Sequence, residues 1–443
     1  MEQYTSYKCK IKHYNHIFKD TVKLYTDAVR FFLDVILENW NMISICTTSK
    51  KAYNLVESLT IKTKQNPNPV YDFHTRFYKF PCYLRRAAIA CAYGKASSYH
   101  SNLANWMAKP EGKKPSVPVI TMEMPAMYKG NTFIQTGDYT ARVKVFIRNT
   151  WDWLDIELNK GDMDYLKRRC SHRTAYTPTI QKIGKQWFLR FAYSEEIKLN
   201  KTPIQDQTAL SVDLGLNHAC VCTVMQTDGT ILGRHFFKAS AEQDRLSTAL
   251  NRIKKAQRHG AHKTPRLWAK AKGINKDITN KTAQFIMDIA VLYNVDVIVF
   301  EHLNLNGKKH GSKKQRLHMW KAKDVQNVVT IKAHRICIRI SHVCARNTSR
   351  LAYDGSGYVQ RGTYLQNGEI KYNYGICIFQ NGKQYNCDLN ASYNIGARYF
   401  IRELLKSLPE TARLAAQAQV PELAKRSTCT RSSLISLCAV LSA

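Results

Sequence analysis

Polar and apolar positions alternate in Tyr4–Tyr14, "YTSYKCKIKHY", as in a β-strand with one buried face. From Asp20 to Trp40 the period changes. Leu24, Ala28, Phe31, Phe32 and Ile36 fall on one face of a helix. Pro67 and Pro69 mark a polar loop, and a second long helix fits Pro81–Met107, with Pro81 in its first turn. Arg85 and Arg86 fall on its outer face, either as a nucleic-acid contact or as an ordinary solvated surface. Between Pro110 and Glu195, "TARVKVFIRN", "DWLDIEL" and "PTIQKIGKQWFLRFAYS" read as strands separated by turns. The pattern predicts a small β-rich domain interrupted by a helical insert.

After the linker-like "LNKTPIQDQ", a third region opens near Thr208 with two β-runs around Asp228-Gly229, a strong hairpin signal. A basic helical stretch follows. "TAQFIMDIAVLYNVDVIVFE" then reads as a helix leading into a buried strand, and "WKAKDVQNVVTIKAHRICIRISHVC" repeats that order. Helices alternating with buried strands predict an α/β sheet. The end of the chain, "KRSTCTRSSLISLCAVLSA", reads as a flexible basic tail.

Composition narrows the function. The chain has 443 residues, enough for two or three domains, and 67 Lys and Arg stand against 33 Asp and Glu, a net charge of +34. Such an excess calls for a polyanionic partner, nucleic acid first and an anionic membrane surface second. No apolar run is long enough to span a bilayer, and the first residues lack the apolar core of a signal peptide. The expectation is a cytoplasmic protein, in a prokaryotic host. The 13 cysteines are scattered and include no C-x-x-C pair, so they read as reduced thiols. Cys220 and Cys222 fall on one face of a strand, where packing is the better reading.

Three carboxylates stand in unusual places. Asp213 interrupts the apolar "ALSVDLGL", Glu301 ends "VDVIVFE", and Asp388 precedes a helix. They are separated by 88 and 87 residues. Singly, each has an ordinary reading: Asp213 paired with an arginine, Glu301 at an exposed strand end, Asp388 as an N-cap. Together they offer hard oxygen ligands from separate elements, as Mg²⁺ requires. Two such ions can activate water and stabilise a leaving oxygen in phosphodiester hydrolysis.

"SVDLGLNHACVC", "VDVIVFEHLNL" and "NCDLNASYNIGAR" resemble the three motifs of the RuvC-like nuclease domain, in the form found in TnpB, the transposon-encoded RNA-guided nucleases, and in type V CRISPR effectors. The "DLN" triplet, with Asn390 and Asn394, is the most diagnostic feature. The resemblance implies an α/β, RNase H-like (RuvC) nuclease domain. Preceding it would be a β-barrel wedge domain carrying a helical recognition insert. Residues 1–17 and 109–200 would form the wedge, and 18–108 the recognition domain. Residues 201–345 and 387–420 would form the nuclease, with 346–386 a degenerate zinc-ribbon-like target-nucleic-acid loop and 421–443 the tail. Carried over by position, Asp213, Glu301 and Asp388 become the catalytic and metal-binding triad, holding two Mg²⁺.

The resemblance has two departures. The family's zinc ribbon begins after a Thr-Ser pair, but here "RLAYDGSGYVQRG" follows Thr348-Ser349 without cysteines, and Cys377 and Cys387 have the wrong spacing. The expectation is no structural zinc. His302 stands where the family often has an acid.

Basic segments supply a surface for the polyanion. From Arg234 to Lys276 there are 12 Lys or Arg and 2 acids, with Lys254, Lys255, Arg258, Lys263 and Arg266 clustered. "GKKHGSKKQRLHMWKAK", which holds Lys308 and Lys309, adds seven more. Charge runs often form solvated faces, but such faces usually mix signs; these favour phosphate contact. Trp268, Tyr364 and Trp320 could stack bases, although core packing is the commoner fate of aromatics. The leading expectation is an RNA-guided endonuclease with a guide RNA and double-stranded DNA as partners. Rival readings are a guide-independent nuclease or transposition accessory factor, and a nuclease-dead RNA-guided repressor.

Overall fold

The computed structural model describes the chain except residues 14–15, 216–217, 262, 304–320, 366–367 and 443. It divides into two compact units, Glu2–Glu196 and Ile197–Ala443, the second including Met1.

In the first unit, strand β1 (Glu2–Lys10) is followed by helices α1 (Ile17–Glu38), α2 (Trp40–Ser44), α3 (Ser49–Thr60), α4 (Phe73–Arg76) and α5 (Cys82–Ala108). Then come β2 (Phe133–Gln135), β3 (Thr140–Ile147), β4 (Thr150–Glu157), α6 (Lys160–Cys170), β5 (Thr174–Ala175), β6 (Thr179–Ile183) and β7 (Gln186–Glu196). The two long helices run close to their sequence-based limits. They share one core with the strands, in which Phe18, Phe32, Phe73, Ile89 and Val143 are completely buried.

The expected closed barrel is not found among the described residues. Two open sheets stand instead, one of β1, β7, β5 and β6 and one of β2, β3 and β4; a single bridge, Ile11–Leu158, lies just past the ends of β1 and β4, and Ala126, outside both sheets, bridges Thr179 of β6. Pro125 and Pro178 flank the second bridge and have no N–H to extend it into a ladder. Helix α6 was missed within the β-rich reading. Its signals are local: the Asn159 side chain caps the Asp162 N–H, Asp162 sits in the first turn, and Lys167, Arg168 and Arg169 in the last.

The second unit is built on a five-stranded sheet of β8 (Thr208–Asp213), β9 (Cys220–Gln226), β10 (Ile231–Phe237), β11 (Val297–His302) and β12 (Arg339–Cys344). Their order is β10-β9-β8-β11-β12. β8, β9 and β10 form an antiparallel meander, whereas β11 and β12 run parallel to β8. The basic segment between β10 and β11 forms a helical hairpin, α7 (Ser240–Arg258) and α8 (Pro265–Leu292), and α9 (Ala322–Arg335) precedes β12. Helix α10 (Cys387–Ser407) carries the third motif and is followed by α11 (Glu410–Gln419) and α12 (Arg431–Ser442).

Strand alternation sorts the core into two faces. Leu210, Val212, Ile298 and Phe300 pack with residues of α8 and α9, whereas Ala209, Val297 and Val299 pack with α10. Cys220 and Cys222 are completely buried on the first face, as the alternation predicts.

The segment 346–386 forms two small sheets, one of 360–361, 376–378 and 384–386 and one of 363–364 and 370–371. Cys377 and Cys387 lie in its apolar core with Ala352 and Phe379. One expectation is corrected, that of a flexible tail. The end of the chain is docked: Leu434 and Leu437 of α12 are completely buried among α10 residues. Thr430 and Ser433 hydrogen-bond each other's backbone N–H at 2.7 and 3.4 Å, and the Arg431 guanidinium donates to the Gly229 carbonyl at 2.7 Å. The i, i+3 spacing of those leucines gives α12 its buried face, which the Ser/Thr content obscured.

Candidate active site

Alternation along two neighbouring parallel strands brings the first two carboxylates together. Phe300 is the register partner of Val212, so Asp213 and Glu301 follow one residue further along β8 and β11. Asp213 continues the series Ala209, Ser211, and Glu301 the series Val297, Val299; both series face α10.

Small residues let α10 approach that face. A Cβ on Gly396 would meet Met225 Sδ and Ser211 Oγ, each at 3.1 Å. Ser392 Oγ shares a hydrogen bond of 2.5 Å with Thr223 Oγ1. At the helix start, Asn386 is the N-cap, its Oδ1 accepting from the Leu389 N–H at 2.9 Å. Asp388 is thereby left free for other partners. Its Oδ2 lies 3.0 Å from Nδ1 of His218, in the turn after β8. A Cβ on Gly215 would stand 3.6 Å from that carboxylate oxygen and 2.9 Å from the His218 carbonyl. The turn fits beside Asp388 because residue 215 has no side chain.

The electrostatics are those of a crowded acidic site. Burial first, and then the charges of Glu301 and Asp388, push the Asp213 carboxyl well above its ordinary range, with Arg361 opposing. Burial also raises Glu301, opposed by the hydrogen bond from Thr348 and by the Arg398 charge. Among the described residues, no three His, Cys, Asp or Glu side chains are drawn close enough together to hold a metal ion. Glu301 is turned to Thr348 and Asp388 to His218. The donor set nevertheless fits a divalent cation of the Mg²⁺ type. All three groups are hard carboxylates, and their mutual repulsion at Asp213 is what a cation relieves.

The asparagines of the third motif fix the loop behind the site. The Asn390 amide accepts from Tyr353 N–H at 2.8 Å and donates to the Leu351 carbonyl at 2.9 Å. Asn394 donates to the carbonyls of Thr348 and Leu351 at 3.0 and 2.9 Å. Thr348, which reaches Glu301, is therefore positioned by α10. Buried Arg398 binds four carbonyls, Cys344, Arg346, Ser427 and Cys429, at 2.6–3.0 Å. Sequence reasoning missed His218, Arg361 and Arg398 as parts of the site. Only His218 had a local signal, five residues beyond Asp213 in the same motif.

The sequence-predicted nucleic-acid contacts divide. Lys254, Lys255, Arg258, Lys263 and Arg266 are all exposed and make no ion pair among the described residues. Arg86 is exposed, with its guanidinium 3.5 Å from Glu57. Arg85 does not lie on the outer face. Its side chain, 12% exposed, pairs with Glu57 of α3 at 3.3 Å, because α3 packs over that side of α5. Lys308, Lys309 and Trp320 lie outside the described residues. Trp268 packs in the α7–α8 hairpin, and Tyr364 is exposed.

Comparison with known proteins agrees with this architecture. Residues 5–147 match the Aq_aa04 family and residues 191–309 the probable transposase family OrfB_IS605. The uncharacterized protein aq_aa04 of Aquifex aeolicus is 33% identical over 137 residues, spanning 27% of this chain and 75% of the relative. A Cas12f1 solved as an sgRNA–target DNA complex superposes with a TM-score of 0.51 at 15% identity, covering 86% of this chain and 81% of that one. That match shows the fold. CasPhi-2 (Cas12j), solved with crRNA and phosphorothioate-DNA, is more distant, with a TM-score of 0.40 at 8% identity and coverage of 90% and 91%. Fold and site thus define an α/β protein that shares the fold of that Cas12f1 and carries a segment of probable transposase type. The chain belongs to the family of the Aquifex aeolicus protein aq_aa04, and its residues 191–309 match the probable transposase family OrfB_IS605.

Proposed function

We propose that the chain is an RNA-guided DNA endonuclease with an RNase H-like (RuvC) nuclease domain. It would cut double-stranded DNA next to a short flanking motif at a single site. The observation that carries this reading is the placement of Asp213 and Glu301 at the ends of adjacent parallel strands, on the face crossed by the helix bearing Asp388. Asp213, Glu301 and Asp388 would hold one or two Mg²⁺ ions, which when bound activate water and neutralise charge on the leaving oxygen. His218 orients the Asp388 carboxylate, and Thr348 that of Glu301. The sheet fixes Asp213 and Glu301 through their neighbouring strands.

The partners proposed are a guide RNA and a DNA duplex. Support comes from the net charge of +34 and from Lys254, Lys255, Arg258, Lys263 and Arg266 of the α7–α8 hairpin, exposed and without an ion pair among the described residues. The Cas12f1 that shares this fold was solved with sgRNA and target DNA. Cations of this kind bind phosphate without reading sequence, which leaves recognition to base pairing with the guide.

Asp213→Ala is expected to slow cleavage of guide-matched DNA on the order of a thousandfold, about 4 kcal/mol of barrier. Binding of RNA and DNA should be largely unchanged. Cutting at full rate by this variant would overturn the triad.

A further inference from the structure

A second charged feature lies at the β12 edge of the same sheet. A cavity of about 530 Å³ is lined by the end of β12, the last turns of α10, α11 and the segment 423–429. Five Lys or Arg line it, against one acid, Glu403.

These cations differ in how far they are satisfied. Arg398 is buried and committed to four carbonyls. Arg402 is fixed by Ser341 Oγ at 2.7 Å, the His342 carbonyl at 2.9 Å and Glu403 at 2.8 Å. Among the described residues the Arg413 side chain pairs with Glu410 alone, at 3.3 Å, and Glu410 is 78% exposed. Lys406 and Arg426 are exposed and have no side-chain partner among the described residues. The cavity therefore holds two unpaired cations and a preorganised guanidinium, and its charge is not balanced from within.

Its position ties it to the candidate active site. Val343, in its wall, is the register partner of Glu301 on the neighbouring strand. Planar guanidinium groups and an ammonium around a nucleotide-sized cavity suit the oxygens of phosphate esters.

We propose that this cavity is a phosphate subsite that grips the backbone of a nucleic-acid strand at the β12 edge of the sheet that carries the carboxylates, with Lys406 and Arg426 as its contacts. The proposal rests on the nuclease reading for the identity of the strand. The binding it asserts is measured without cleavage.

The test uses the full chain and a short fluorescent single-stranded DNA, with affinity read by anisotropy over a range of salt concentrations. The double variant Lys406→Gln/Arg426→Gln should bind about tenfold more weakly, and its slope of log affinity against log salt should fall by roughly 1.4, two single-strand phosphate contacts. A control, Lys198→Gln/Lys201→Gln, removes two exposed cations of the same unit that lie outside the cavity. It should leave both quantities nearly unchanged. Equal losses in the two double variants, or no loss in the first, would overturn the subsite. Inorganic pyrophosphate at matched phosphate concentration should protect Lys406 from acetylation less well than the oligonucleotide; equal protection would assign the cavity to free phosphate and overturn the strand. Asp213→Ala separates the readings. If it cut normally, the nuclease reading would fall while the binding difference stood. If it stopped cutting and the cavity variant bound normally, the subsite alone would fall.

Discussion

Asn386 closes the first turn of α10, and that decides what Asp388 is for. From sequence alone Asp388 was as good an N-cap as a ligand. With the cap supplied two residues earlier, its carboxylate faces His218 and the Asp213–Glu301 pair. Crowding of this kind costs stability, since partly buried like charges repel and lose hydration. Asp213→Asn keeps the shape and removes a charge, so it should stabilise the second unit by about 1 kcal/mol, seen as a melting temperature a few degrees higher. Added Mg²⁺ should raise the melting temperature of the unsubstituted protein and barely move that of the variant. A variant melting lower than the parent would show that the three charges are not in conflict.

Elements were legible where their signals were local. The hydrophobic periods located α1, α5, β8 and β11 because each buries one face or, for the central strands, both. Helix α6 and the docked α12 escaped. A β-rich neighbourhood masked the caps of one, and Ser/Thr content masked the leucine spacing of the other. Leu434→Ala tests the docking of α12. It deletes a completely buried side chain and should cost about 3 kcal/mol. Thermal unfolding should show the loss, with faster proteolysis at 421–443. A flexible tail would register neither. The roles of Asn390 and Asn394 were invisible for another reason: their partners, the carbonyls and N–H of 348–353, are 37–46 residues away in sequence.

At the scale of the molecule, the excess of 34 positive charges sets the class of partner, and the fold sets where those charges stand. No helix among the described residues is long and apolar enough to cross a membrane. Two partly buried histidines of the second unit should each contribute a loss of stability in acid. Burial holds His235 and His334 below the usual imidazole range, with the N-terminal ammonium adding to the effect at His334. The unfolded chain therefore takes up protons first as pH falls through about 6.5. Stability present above that pH is lost as pH drops toward the folded values. His235→Gln should reduce the fall in melting temperature between pH 7.5 and 5.5. An unchanged fall would remove His235 from the effect.

The sequence by itself determined the strand and helix periods of the main elements, the charge that demands a polyanion, and the three carboxylates with their motifs. Each is a property of a residue and its near neighbours in the chain. Tertiary structure alone decided that Asp213 and Glu301 share a face, that Gly215 and Gly396 leave room for Asp388 and its helix, and that Arg85 turns to Glu57. It also placed the unpaired cations Lys406 and Arg426 at one cavity on the β12 edge of the sheet. These are relations between residues far apart in sequence, fixed by strand register and helix packing, and no local pattern encodes them.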